Sequence, residues 1–280
     1  MKIGLFIQSA NQDLFKYSAF LLCDFYNRCK TILNLDCDVF IFESSNDSSN
    51  DYSYIIENRI FLPCDDRETS LKFCNLIKNI SELDYFPKYD VIVRVNTSTI
   101  VNLKSLNDFL ISNEYDKNKL YCAQIVHDDI KMIKAKDGLW YDKDESLCHY
   151  PNGNLYIFSN EILGKLHKHI FNSYDYLTST YVFQNDDEDK PWFWKGLSED
   201  LLLGFTLNNH NILYDTIGDF IQIYNNNIFG SNLHDKENPL DMIALSCKTS
   251  CDYEERLKYE PTFMHLITKI IENYIISINK

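Results

Sequence analysis

Four stretches carry residue types that could do chemistry. In Arg94-Val-Asn96-Thr-Ser98-Thr99, a cation, an amide and hydroxyls gather at the end of the apolar run Val91-Ile-Val. In Leu197-Ser-Glu199-Asp200-Leu-Leu-Leu-Gly204, two adjacent acids open an apolar segment. Acids at a helix start complement the helix dipole, and one of them could equally serve as a proton acceptor. In Tyr150-Pro-Asn-Gly153-Asn-Leu-Tyr156-Ile-Phe-Ser159, the glycine would let the backbone approach a bound ligand closely, while Ser159 with Glu161 reads as a helix start. Finally, residues 184–194 bring Asp186, Asp187, Glu188 and Asp189 beside Trp192 and Trp194. Aromatic faces bury the apolar faces of sugars while rim acids bond hydroxyls, so Trp192 and Trp194 are candidate acceptor contacts, with core packing as the alternative.

The elements that must position these groups are those of an α/β protein. Val91, Val93 and Val95 alternate with Ile92, Arg94 and Asn96, which reads as a mostly buried strand turning polar only at its exit. Asn102 can cap a following helix in which Leu103, Leu106, Phe109 and Leu110 recur at helical spacing. In an open α/β sheet, ligands bind outside the carboxyl ends of strands, where Arg94, Asn96 and Ser98 would lie. Upstream, residues 2–8 form a short strand with the polar tip Gln8-Ser9-Ala10-Asn11, followed by a helix over 15–28 and a strand over 38–43. Strand, helix, strand implies a parallel sheet. A short strand at 60–62 and a helix over 70–80 bearing Lys72 lead to the central strand. Residues 120–126 read as one further strand and 128–144 as a hairpin or loop with Trp140. From Pro239 onward helices dominate, closing with an amphipathic helix over 263–278. The expected organisation is one domain over 1–238 with a helical segment, 239–280, packed on it.

At 280 residues, with 45% hydrophobic and 14% aromatic residues, the chain can bury a sizeable core. Its 41 acids against 27 bases, a net charge of −14, oppose a nucleic-acid partner and docking to an anionic membrane through a basic surface. An anionic ligand would need local cations or a metal. No apolar run reaches the roughly 18 residues of a membrane span, and the opening Lys2-Ile-Gly-Leu-Phe-Ile reads as a strand rather than a signal peptide, so a soluble cytoplasmic protein is expected. Nine scattered cysteines lack paired metal-ligand spacing. Cys247 and Cys251, one helical turn apart, have no matching pair for zinc, and buried free thiols are expected.

A buried strand ending in a polar cluster and running into Val101-Asn-Leu resembles the centre of GT-A glycosyltransferases of the β-1,3-galactosyltransferase and fringe type. Where that family carries an aspartate triplet, this chain has Asn96-Thr97-Ser98, which is similar to a divergent branch encoded by large DNA viruses. The 150–163 and 197–212 stretches match further family segments in order and spacing, and the resemblance covers about residues 55 to 235. It implies a GT-A fold with a Rossmann-like mixed sheet, a UDP-sugar donor and a glycan acceptor. It also implies an inverting hexosyl- or pentosyltransferase whose catalytic base carries over to Asp200, with Glu199 as second choice. Donor contacts would come from Gln8, Ser9, Lys72, Arg94, Asn96, Ser98 and Gly153, and among donors the resemblance leans to UDP-xylose.

The family holds Mn2+ or Mg2+ through its acids. Here Asn96 and Ser98 are neutral, so either the diphosphate holds the metal with His234 and a nearby acid, or Arg94, Lys72 and Arg67 make the site metal-independent. Lys72 reads equally as a solvated helix lysine, and Arg94 as a buried arginine paired with an acid. Two other classes compete. A glycan- or protein-binding module on a GT-A fold that has lost its acids fits the neutral tip but not the retained Glu199-Asp200 pair. A nucleotidyltransferase or NAD-dependent enzyme is disfavoured, since neither Gly-x-Gly-x-x-Gly nor a Walker loop occurs and the chain has only eight glycines.

Overall fold

The structure, a computed structural model, describes residues 1–45, 52–127, 132–134, 140–142, 149–181, 196–218, 220–224, 227–230, 240, 242–248 and 253–279. The first half runs β1 (Ile3–Gln8), α1 (Asp13–Ile32), β2 (Cys37–Ser44), β3 (Tyr54–Ile56), β4 (Arg59–Leu62), α2 (Thr69–Glu82), β5 (Val91–Asn96), β6 (Thr99–Val101) and α3 (Leu103–Ile111). Then come β7 (Lys119–Cys122), β8 (Ile125–His127), β9 (Met132–Lys134), β10 (Trp140–Asp142), β11 (His149–Pro151), β12 (Leu155–Ser159) and α4 (Asn160–Thr180). The chain ends with α5 (Glu199–Asn209), β13 (Leu213–Thr216), β14 (Phe220–Tyr224), β15 (Asn227–Gly230), β16 (Ala244–Ser246) and α6 (Tyr253–Ile278).

An eight-stranded sheet in the order β13-β7-β12-β5-β1-β2-β4-β3 forms the centre. β1 lies parallel to both β2 and β5, β2 is parallel to β4, and β12 returns antiparallel to β5. The β5 sequence is apolar on both faces because both faces are covered. Val93 and Val95 join Leu5 and Ile7 against Leu22 and Phe25 of α1, Leu106 of α3 and Ile271 of α6. Ile92 points the other way and joins Phe6 and Phe158 against Phe73 of α2, Leu166 of α4 and Leu203 of α5. This two-residue periodicity builds an α/β/α sandwich. α1 leads from β1 toward β2, while α2, on the opposite face, leads from β4 across to β5. β1 and β5 lie side by side and parallel, so their carboxyl ends open on the same edge of the sheet, the edge where ligands bind in such folds.

Asn102 caps α3, its side chain accepting from the Lys104 and Ser105 N–H groups, as its residue type predicts. Two regions differ from the sequence expectation. The stretch 120–126 is two strands, broken at Ala123 and Gln124, because β8 leaves the main sheet to pair with β11. The segment from 239 contributes a strand as well as a helix. β16 pairs with β14, from before the expected boundary, and with β6, immediately after the tip of β5. The 238/239 boundary thus falls within one four-stranded sheet, and a three-residue Ala-Leu-Ser strand is too short to register by alternation. Cys247 N–H donates to Ser98 O at 2.6 Å, tying this segment to the polar tip. α6 begins ten residues before the expected Phe263 and packs along α1, with Arg28 Nε 2.7 Å from Glu272 Oε1. Among the described residues no helix is long and apolar enough to cross a membrane. Cys23, Cys29, Cys37, Cys64, Cys74, Cys122 and Cys247 are free thiols; Cys148 and Cys251 lie outside the described residues.

Candidate active site

The crevice between the ends of β1 and β5 holds a cavity of about 300 Å3. Gln8 and Ser9 reach it from β1, Asn96 and Ser98 from β5, and Arg67, Thr69 and Lys72 from the start of α2. Phe15 of α1 and Lys248 and Arg256 of the C-terminal segment also line it. Four basic side chains thus face it against one acid, Asp66, in a protein whose net charge is −14. Such a concentration focuses positive potential on one crevice of an otherwise acidic surface. The α2 N-terminus at Thr69 adds the positive end of a helix dipole.

Lys72 is only 1% exposed. Its ammonium donates to Ser9 O at 3.2 Å, Asp66 O at 2.9 Å and Asp66 Oδ1 at 2.8 Å. These bonds use all three ammonium donors. Lys72 is therefore a buried brace that fixes the β1 loop and the α2 approach around the cavity, in place of the solvated helix lysine that its sequence context allows.

The two acids open α5 behind the cavity wall. Ser198 is the N-cap, its hydroxyl accepting from Leu201 N–H at 3.4 Å. Gly204, one turn on, lets α5 lie against β11, since a Cβ there would come within 2.9 Å of Tyr150 Cα. Glu199 is buried and accepts from Arg94 Nη2 at 2.6 Å. Arg94, equally buried, also donates to Gly153 O and lies over the Tyr156 ring at 5.1 Å. Arg94 and Tyr156 are register partners in the β5–β12 pair. The Tyr156 hydroxyl in turn donates to Asp200 Oδ1 at 3.1 Å, and the Gly153 backbone N–H bonds the same carboxylate. One connected network therefore fixes both acids and the arginine.

Burial raises both carboxyls. Glu199 is pushed up to about 8, desolvation outweighing the attraction of Arg94. Asp200 is raised by desolvation and held down by the Gly153 N–H, Arg94 and the Tyr156 hydroxyl. The Tyr156 phenol is pushed well above its ordinary range by burial and then by Asp200, so it remains a donor. An acid with a raised pKa and two fixed donors is suited to accepting a proton near neutral pH. The acids border the cavity through Thr69, whose hydroxyl accepts from Glu199 N–H at 3.4 Å, through Asn154 next to Gly153, and through Lys248, whose charge acts on Asp200.

Of the residues singled out from sequence, Gln8, Ser9, Lys72, Asn96, Ser98 and Arg67 line the cavity. Arg94, Gly153, Glu199 and Asp200 form the network beside it. Arg94 takes the second of its two expected arrangements, a buried arginine paired with an acid. Its guanidinium is committed to Glu199 and Gly153 O rather than presented to a ligand. Gly153 sits in the turn between β11 and β12 rather than within a strand. Its missing side chain makes room for Asp200, since an added Cβ would clash with Oδ1 and lie 3.2 Å from Cγ. Trp192, Trp194 and His234 lie outside the described residues. Lys248 and Arg256 gave no signal in the sequence beyond their charge.

A hard divalent cation takes carboxylate and carbonyl oxygens. Asn96 and Ser98 offer none that is charged, and the carboxylate of Asp66 is bonded by Lys72. Among the described residues no group of three or more His, Cys, Asp or Glu could hold a metal ion. The described donor set therefore does not fit Mn2+ or Mg2+.

No family model matches the chain, and no curated protein matches it. Among solved structures it is similar to a glycosyltransferase involved in glycosylation of the major capsid of PBCV-1. That likeness has 11% identity and a TM-score of 0.48, covering 95% of this chain and 100% of that one. It is also similar to the galactosyltransferase LgtC in complex with donor and acceptor sugar analogs, at 10% identity and a TM-score of 0.47, covering 98% and 96%. A third similar structure is Francisella tularensis 2-C-methyl-D-erythritol 4-phosphate cytidylyltransferase, at 15% identity and a TM-score of 0.36, covering 78% and 90%. Likenesses this remote leave the functional argument to the site itself.

Proposed function

We propose that the protein is a glycosyltransferase of the GT-A type, moving a hexose or pentose from a UDP-sugar to a hydroxyl of a glycan acceptor with inversion. The observation that carries this reading is a cationic cavity at the carboxyl ends of the parallel neighbours β1 and β5, with an acid pair, buried Glu199 and half-buried Asp200, at its border. Diphosphates bind in such crevices, where strand ends, a helix N-terminus and basic side chains converge. Transfer needs two further kinds of help, removal of the acceptor proton and neutralisation of the departing diphosphate. Asp200 takes the proton, held in place by the Tyr156 hydroxyl and the Gly153 N–H. Glu199, locked to Arg94, positions the start of α5 and with it Asp200. Attack by the acceptor oxygen forms the new glycosidic bond as the bond to the diphosphate breaks. A single displacement inverts the anomeric centre. UDP-xylose is the donor we put first.

The neutral Asn96-Thr97-Ser98 tip favours a second reading, a binding module that recognises a glycan or protein on the same fold. A thermal-shift screen against UDP, GDP, UDP-sugars and NAD separates the two, because a ligand at a hundredfold excess over Kd stabilises the native state by about 2.7 kcal/mol. Stabilisation by UDP or a UDP-sugar is expected. No shift with any nucleotide would favour the binding module.

A further inference from the structure

Away from the cavity, two histidines meet across the short antiparallel pair of β8 and β11. His127 and His149 are register partners there, with ring centroids 4.7 Å apart and Nδ1 2.7 Å from Nδ1. Both residues are exposed. Between two neutral imidazoles such a contact holds one proton, donated by one Nδ1 and accepted by the other. With that proton moved away, both Nδ1 lone pairs face one point. We propose that His127 and His149 chelate Zn2+, or a divalent ion of similar preference for imidazole, through their Nδ1 atoms, with water filling the remaining positions. This site is independent of the reading of the cavity as a nucleotide site.

Geometry and chemistry both favour it. Metal–nitrogen bonds of about 2.0–2.1 Å, at angles of about 90–110°, put two ligand nitrogens about 2.9–3.4 Å apart. The pair stands at 2.7 Å, so the two exposed rings need part by less than about 1 Å to admit the ion. The strand positions that carry them are held from several sides. The His149 carbonyl accepts from Asn208 Nδ2 of α5 at 3.0 Å and from the Tyr214 hydroxyl of β13 at 3.3 Å. The Asn152 N–H donates to Gln124 O at 2.8 Å and closes the other end of the ladder. Ligands on a fixed ladder lose little freedom on binding, which favours an ion that fits between them. Imidazole nitrogen suits Zn2+, Ni2+ and Cu2+, whereas Mg2+ takes oxygen. Each bound ring carries its proton on Nε2, so the shared proton passes from Nδ1 to Nε2 of the same ring and none is released overall. A metal there ties β8 to β11, whose chain runs on through Gly153 into β12.

Calorimetric titration of the full chain, stripped with EDTA and dialysed, with Zn2+ and separately with Mg2+ tests this. Long-range proton–nitrogen NMR of the imidazoles, with and without Zn2+, reports which ring nitrogen is bound. Zn2+ is expected to occupy a site that Mg2+ does not compete for, with the His127 and His149 Nδ1 signals moving together and both Nε2 atoms protonated. His127→Gln and His149→Gln, checked for folding by circular dichroism, are each expected to weaken that binding by about tenfold or more. His265→Gln, at an exposed position of α6, is expected to leave it unchanged. Unchanged Zn2+ affinity in both pair variants would overturn the site. So would Zn2+ saturation that leaves the two Nδ1 signals in place, or a wild-type protein that binds no Zn2+.

Discussion

Substituting Gly153 with Ala would change where Asp200 sits without changing what it is. Among the described residues the glycines of positive φ are Gly196 and Gly218, and Gly153 is not one of them, so an alanine backbone is unstrained there. The obstacle is space, because the new methyl would clash with Asp200 Oδ1, with Cγ at 3.2 Å and Oδ2 at 3.4 Å. To restore van der Waals contact the carboxylate must retreat by about 1 Å. That movement also pulls it from the Tyr156 hydroxyl, now 3.1 Å away. The clashing atom ends a side chain rather than belonging to backbone, so the fold should absorb the change at about 1–3 kcal/mol. Catalysis should not, since a misplacement of about 1 Å at a reacting group costs on the order of 100-fold. The assay is release of UDP from the UDP-sugar that most stabilises the protein, with UDP titration and urea unfolding of the same sample. We expect kcat about 100-fold lower, UDP affinity within about twofold and a cooperative unfolding transition. A folded Gly153→Ala protein with wild-type kcat would refute the assignment of Asp200 as the base.

Asp200→Asn keeps the size of the side chain and removes its proton affinity, so turnover should disappear while UDP affinity holds; turnover near wild type would move the base elsewhere. Glu199 is raised in the folded state from 4.5 to about 8, chiefly by burial. Its contribution to stability is complete below its unfolded value and is lost as pH rises through about 8, because the folded chain keeps a proton that the unfolded chain has released. Urea midpoints should therefore be higher at about pH 5 than at about pH 9, and Glu199→Gln should flatten that slope; an unchanged slope would show that Glu199 is not its source. Lys72→Met should cost about 3–5 kcal/mol in urea unfolding, because it leaves Asp66 charged without its buried partner. A loss below about 1 kcal/mol, typical of a surface pair, would contradict the brace.

What the sequence revealed and what it hid follow from the range of each interaction. β5, α3 and the Asn102 cap were legible because alternation, helical spacing and capping act between near neighbours. The Ser198-Glu-Asp helix start was legible for the same reason. The pairing of Arg94 with Glu199 joins residues 105 apart in the chain, and nothing local to either announces the other. Gly153 looked like a place for close approach, which it is, but what approaches is Asp200. Lys248 and Arg256 escaped notice because they reach the cavity only when β16 pairs with β6 and α6 lies along α1. A brief Ala-Leu-Ser strand in a segment expected to be helical gave no hint of that pairing.

The central claim is sugar transfer from a nucleotide donor with Asp200 as base. Its most direct test is proton NMR of UDP-sugars incubated with wild-type protein and with Asp200→Asn, following the anomeric signals with water or a glycan as acceptor. The account predicts UDP release by the wild type, a first-formed product of inverted anomeric configuration, and neither with Asp200→Asn. Binding of UDP with no consumption of any nucleotide sugar, or equal consumption by both proteins, would contradict it.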